Sequence, residues 1–191
     1  MADGVGWLLD PYGVDCVTLA RGVEPDELAV RLGAHPGQKP RMASAREAMR
    51  MLTAPGVGVA RVGRSGDWSF AVEYGDAAGC TTAGLQAVSR DGAEAVNFLL
   101  TPWHPPSLFS SYKDGVHLCS FGIGEESRRY GSEPDLLVPA WEQVGVLPGG
   151  PQSGLRGRRL SMLVIGEHFG LRLPRQDIVE GSLPLFRVRG R

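Results

Sequence analysis

The sequence predicts an α+β fold: an antiparallel-rich sheet of about five or six strands with helices packed mainly on one face. Three observations carry this. Residues 57–74 hold two β-patterned segments around a Gly63-Arg64-Ser65-Gly66 turn. On the second segment Trp68, Phe70, Val72 and Tyr74 alternate with Ser69, Ala71 and Glu73, the period of two expected of a strand with one buried face. A second hairpin is predicted where residues 108–112 and 116–121 flank Lys113-Asp114-Gly115. A helix lies between the two hairpins, and hairpin connections make neighbouring strands antiparallel.

The remaining elements follow in order. Residues 14–20 are β-branched and alternating, and Arg21-Gly22 closes that strand. Pro25, Asp26 and Glu27 suit the first turn of a short helix, with Leu28 and Leu32 on one side and Gly33 as its stop. Residues 35–42 read as a loop. Ser44-x-x-Glu47 is a capping box before a helix whose apolar side is Ala48, Met49 and Leu52. Thr81 or Thr82 caps the helix of Leu85 and Val88, Asp91-Gly92 breaks it, and residues 93–101 form a strand.

Residues 122–132 are polar and glycine-punctuated, and read as irregular. Ser132-x-x-Asp135, with Pro134, is expected to start a helix with Leu136, Leu137, Ala140, Trp141 and Val144 on one stripe. Residues 147–157 read as a flexible segment. Residues 158–168 form the last long helix, with Leu160, Leu163 and Val164 inward, and residues 187–191 read as a frayed tail. The whole, residues 1–191, is one domain with its core in 14–179. This element order is similar to that of profilin-like and roadblock-like domains, a likeness that says nothing of activity.

Composition excludes several classes. The hydrophobic share of 42% and charged share of 21% are those of a soluble globular protein. Of 20 basic residues only Lys39 and Lys113 are lysines, yet net charge is −1, which disfavours nucleic acid as a partner. No stretch approaches the ~20 apolar residues of a membrane span. The first residues lack a basic segment and carry Asp3 and Asp10, unlike a signal peptide. Cys16, Cys80 and Cys119 are widely spaced with no CxxC, so neither a zinc site nor a redox pair is indicated. They read as reduced thiols in a cytoplasmic protein.

Three segments carry a family likeness: V-T-L-A-R-G-V-E-P-D-E-L-A-V-R-L-G-A, R-V-G-R-S-G-D-W-S-F-A-V-E, and the Arg129-Tyr130-Gly131-Ser132-Glu133-Pro134-Asp135 stretch with G-V-L-P after its helix. With these the chain resembles a large bacterial family of uncharacterised domains over residues 14–179. The resemblance implies no function, cofactor or catalytic residue. The chain departs from the family pattern in the Trp103-His104-Pro105-Pro106 loop and in the arginine-rich segment 156–159.

No dinucleotide fingerprint, phosphate-binding P-loop or nucleophile elbow occurs, and the four histidines share no metal-binding spacing, so no cofactor and no metal are expected. His117 and Cys119 are two apart on a strand and would share a face, which makes them a candidate nucleophile pair beside a buried thiol's structural reading. Glu73 is a candidate acid–base group; it also reads as one of a solvated row, or as a cross-strand partner of Arg61. Arg128 and Arg129, before the Ser132 cap, are candidate anion ligands, with Glu125 and Glu126 near enough to neutralise them. Trp103 and His104, in a proline-stiffened loop, are candidate partner contacts. The preferred expectation is a non-enzymatic module that engages a protein partner or a second copy. The alternative is a small enzyme or small-molecule binder with a pocket beside the 57–74 hairpin, lined by Trp68, Phe70, Tyr112 and Trp141.

Overall fold

The computed structural model describes residues 4–10, 14–100, 106–145 and 155–189. The sheet has nine strands: β1 (Cys16–Arg21), β2 (Arg41–Ala43), β3 (Val57–Ser65), β4 (Trp68–Gly75), β5 (Glu94–Leu99), β6 (Leu108–Lys113), β7 (Val116–Gly122), β8 (Glu125–Tyr130) and β9 (Leu183–Arg189). Their order is β2-β9-β3-β4-β1-β5-β6-β7-β8, and every pairing is antiparallel. The class is as expected, but the sheet is wider than about five or six strands. Three strands escaped the sequence reading. β2 has three residues, too few to show a period. β8, E-E-S-R-R-Y, is an edge strand exposed on both sides and so lacks an apolar alternation. β9 starts in residues given no element and runs into the segment 187–191 read as a frayed tail, yet it sits between β2 and β3 with Leu185, Phe186 and Val188 buried.

Helices cover both faces, not mainly one. Strand alternation sorts the side chains. On the first face lie Val17 and Leu19 of β1, Trp68, Phe70, Val72 and Tyr74 of β4, and Val96, Phe98, Phe109, Cys119 and Phe121 of β5 to β7. They pack with α2 (Ala45–Arg50), α4 (Val138–Gln143), α5 (Leu155–Phe169), α6 (Arg175–Val179) and a 3-10 turn at Gly6–Leu9. Phe109 is central here, its ring 5.7 Å from that of Phe98, 5.0 Å from Phe121 and 5.9 Å from Phe169. Gly63 lies opposite Phe70, and a Cβ there would strike the Phe70 ring, so the missing side chain is what lets that ring lie across β3.

The centre of the opposite face is built from small residues, Ala20, Ala60, Ala71 and Ala95, with Val62, Tyr112, Phe186 and Val188 beside them. It is covered by α1 (Pro25–Arg31) through Leu28 and Ala29, and by α3 (Thr82–Ser89) through Leu85 and Val88. Both helices start as their sequences predict. Pro25 stands in the first turn of α1, and Thr81 accepts a hydrogen bond from Gly84 N at the start of α3. The Ser44/Glu47 capping box of α2 is complete.

Other local expectations are corrected. Ser132 does not cap a helix: its N–H and hydroxyl both donate to His117 O, residues 131–137 form turns, and α4 begins at Val138. Met49 and Leu163 are about half exposed, at 50% and 49%, rather than inward. Arg61 stands opposite Val72, on the aromatic face, and so cannot pair with Glu73. It is fully buried and its guanidinium donates to Ala43 O (3.0 Å), Tyr74 OH (3.0 Å), Ile178 O (2.8 Å), Asp177 O (3.3 Å) and Gly181 O (2.8 Å). One side chain thereby fastens β2, β4 and the end of α6 to β3, with each guanidinium nitrogen meeting a neutral oxygen as a buried charge requires.

Candidate functional site

The alternation that puts Trp68 and Phe70 on one side puts Ser69, Ala71 and Glu73 on the other, and α1, α3 and the turn at 78–80 cover that side. Glu73 is therefore buried, at 1% exposure, and not part of a solvated row. Its register partner on β1 is Cys16, and Thr18 faces Ala71 one step along the same face. Thr18 in turn stands beside Asn97 of β5, Asn97 beside Ser110 of β6, and Ser110 beside Ser120 of β7. Five strands thus lay one polar row across the small-residue face.

The row is hydrogen-bonded at both ends. Thr18 Oγ1 donates to Glu73 Oε2 (2.9 Å), and Gly79 N donates to Glu73 Oε1 (3.1 Å). Asn97 Nδ2 lies 3.0 Å from Thr18 Oγ1 and 3.3 Å from Cys16 Sγ. Burial pushes the Glu73 carboxyl up from its ordinary range, against the pull of these donors. A short 3-10 turn, Ala78–Cys80, closes over the carboxylate. A Cβ on Gly79 would run into Thr18 Oγ1 and Glu73 Oε2, so only glycine lets the turn sit this close. The turn delivers Cys80, whose Sγ lies 3.1 Å from Cys16 Sγ. Cys16 is buried, Cys80 is exposed, and the two are 64 positions apart. That separation lies outside any CxxC spacing.

At the other end His117 Nε2 lies 2.7 Å from Ser120 Oγ, and Ser120 Oγ donates to Ser110 Oγ (2.8 Å). Ser120 Oγ thus bridges the imidazole and the Ser110 hydroxyl. The ring lies between Tyr112, tilted against it at 4.9 Å, and Tyr130, edge-on at 5.4 Å, and burial lowers its pKa.

His117 and Cys119 do not share a face. The β6/β7 register slips at Ser111/Tyr112, so His117 pairs with Tyr112 while Cys119 pairs with Ser111. The extra residue, Leu118, cancels the alternation that the sequence reading relied on. Cys119 turns into the aromatic core, where burial pushes its thiol up to about 11 and its Sγ donates to Pro134 O (3.4 Å). It lacks the thiolate character a nucleophile needs.

Arg129 is committed to Asp135, with Nε and Nη2 at 2.8 and 2.5 Å from Oδ1. Arg128 points to solvent 4.0 Å from Glu125. Both lie on β8 and not at a helix N-terminus. Trp103 and His104 lie outside the described residues, as does most of the 147–157 segment. Trp68, Phe70 and Trp141 are packed core at 1–2% exposure. Two clefts open elsewhere, on either side of α5. One, of about 400 Å³, lies between α5 and residues 4–10; the other, of about 300 Å³, lies between α5 and α4.

Among the described residues no three His, Cys, Asp or Glu side chains are placed to hold a metal ion, and no helix is long and apolar enough to cross a membrane. No curated protein and no solved structure matches the chain. A family match covers residues 12–153, so α5, α6 and β9 follow its end even though β9 is an inner strand of the sheet. Over that span, three quarters of its length, the chain belongs to the family described as a family of unknown function, DUF6461.

Proposed function

We propose that the chain is a non-enzymatic interaction module that engages a segment of a protein partner along α5. The observation that carries this is the exposed apolar ridge between the two clefts. Leu163 is 49% exposed and borders both; Val144, at 46%, borders the smaller. A half-exposed leucine flanked by two concavities of about 300 and 400 Å³ suits a partner's apolar side chains. Arg159 lines the larger cleft with no ion-pair partner among the described residues. A carboxylate on the bound segment, next to its apolar anchors, would complete that charge. The setting that goes with this reading is the cytoplasm, inferred from the cysteine usage, of a bacterium, as the family resemblance implies.

A displayed library of short peptides tests it. Enriched sequences are expected to carry apolar anchors with a neighbouring Asp or Glu. Leu163→Asp is expected to weaken their binding about tenfold or more, a loss of about 1.4 kcal/mol or more. Absence of enrichment, or binding indifferent to Leu163→Asp, would overturn the reading. Sedimentation of the wild type adds a further arm. Concentration-dependent dimers abolished by Leu163→Asp would assign the ridge to a second copy and reject a separate partner.

A further inference from the structure

We propose that Cys16 and Cys80 form a redox-active dithiol that exchanges with low-molecular-weight disulfides, Cys80 attacking and Cys16 resolving. The inference is independent of the α5 surface. It stands on the geometry of one turn and one strand end. The two sulfurs are 3.1 Å apart, so a bond needs an approach of only about 1 Å more. The partners are unequal in the way sequential exchange requires: Cys80 is exposed, and Cys16 is fully covered beneath it. A small disulfide can reach the first sulfur and not the second.

The surroundings hold this pair in place. Asn97 Nδ2 lies 3.3 Å from Cys16 Sγ and fixes that side chain from β5. Glu73 Oε2 lies 3.6 Å from the same sulfur and accepts its proton in a weak hydrogen bond. Gly79 brings the turn down on the carboxylate, and in doing so presses Cys80 against Cys16. A turn with any larger residue at 79 would stand off and part the sulfurs. The Cys16 thiol is pushed well up, first by its contact with Cys80, then by burial and by the Glu73 charge. It therefore stays protonated until a bond to Cys80 is available.

The chemistry balances without a metal or a bound cofactor. The Cys80 thiolate attacks one sulfur of a disulfide RS–SR. A Cys80–SR bond forms, the RS–SR bond breaks, and RS⁻ leaves and takes a proton from solvent. The Cys16 thiol then passes its proton to the Glu73 carboxylate and attacks Cys80 Sγ. The Cys16–Cys80 bond forms, the Cys80–SR bond breaks, and the second RS⁻ leaves and is protonated. Two protein thiols are oxidised to one disulfide, and the small disulfide is reduced to two RSH. Oxidation would tie the 78–80 turn to the start of β1 and fix the cover over the polar row.

Oxidised glutathione is the probe, applied to the full native chain, with intact mass and disulfide mapping as readouts. The wild type is expected to lose two hydrogens and to yield a cross-linked pair of peptides holding residues 16 and 80. Cys16→Ser is expected to stop with one glutathione on residue 80. Cys80→Ser, altered at an exposed position, is expected to stay unmodified at Cys16 and Cys119. Glu73→Gln is expected to prolong the mixed disulfide about tenfold or more by removing the proton acceptor. A wild-type chain that retains glutathione on Cys80 without closing, or that forms the 16–80 bond only after denaturation, would overturn the proposal. So would a 16–80 disulfide that glutathione cannot make and only strong oxidants can.

Discussion

The two faces of the sheet use the same strands for opposite purposes. On one, Trp68, Phe70, Phe98, Phe109 and Phe121 meet Trp141 and Phe169 from the helices. On the other, the central positions are alanines, and where they end the polar row begins with Glu73, Thr18, Asn97, Ser110 and Ser120. Large aromatic rings bury the area that holds the fold together. Small residues contribute less of that term, but they let α1, α3 and the 78–80 turn approach the strands closely. The close approach is what covers a carboxylate and sets two sulfurs together. Strand alternation thus separates the groups that stabilise from the groups that can react, within one layer and often on neighbouring residues.

The largest test of this division is on the aromatic side. Phe70→Ala removes a fully buried ring and is expected to cost about 3–5 kcal/mol, measured as a fall in the denaturant midpoint. A midpoint unchanged by that substitution would break the assignment of faces. The neighbouring position tests the other side in the opposite direction. Ala71→Leu adds volume under α1 and is expected to cost about 1–3 kcal/mol through overpacking. A neutral Ala71→Leu would mean that the small face has slack, and that its tight cover over Glu73 needs another cause.

What the sequence disclosed follows the same division. The aromatic face was legible because bulky apolar residues at a period of two leave little choice, as in Trp68, Phe70 and Val72. The small face was not. Ser69, Ala71 and Glu73 look like a solvated row, since alanine and serine carry no strong burial signal. Only the helices on that side bury them. The candidate site was hidden for a second reason. Cys16 and Cys80 meet through β1 pairing with β4 and a turn that Gly79 permits, a relation across 64 positions. His117 and Cys119 failed for a local one, since a bulge at Leu118 leaves no mark in the residue pattern. Conservative signals did succeed where they are short and chemical, as in the Ser44/Glu47 capping box.

The smallest expected effect is a slope, and it tests the buried carboxyl directly. Glu73 has Thr18, Cys16 and Gly79 as hydrogen-bond partners and no cation among them. Burial outweighs those bonds and raises its pKa above the ordinary 4.5. The folded chain then holds this proton more tightly than the unfolded chain does. Its stabilising effect is complete below pH 4.5 and is lost as pH rises through the folded value. Gln cannot titrate, so Glu73→Gln removes that loss while keeping an acceptor for Thr18 or Gly79. The stability of the variant minus that of the wild type is therefore expected to rise with pH from about 4 upward and then to level off. Urea unfolding at a series of pH values reads the difference. A flat difference would mean that Glu73 titrates normally in the folded chain. The small face would then admit water at the polar row, and the contrast between the two faces would be one of residue size and not of burial.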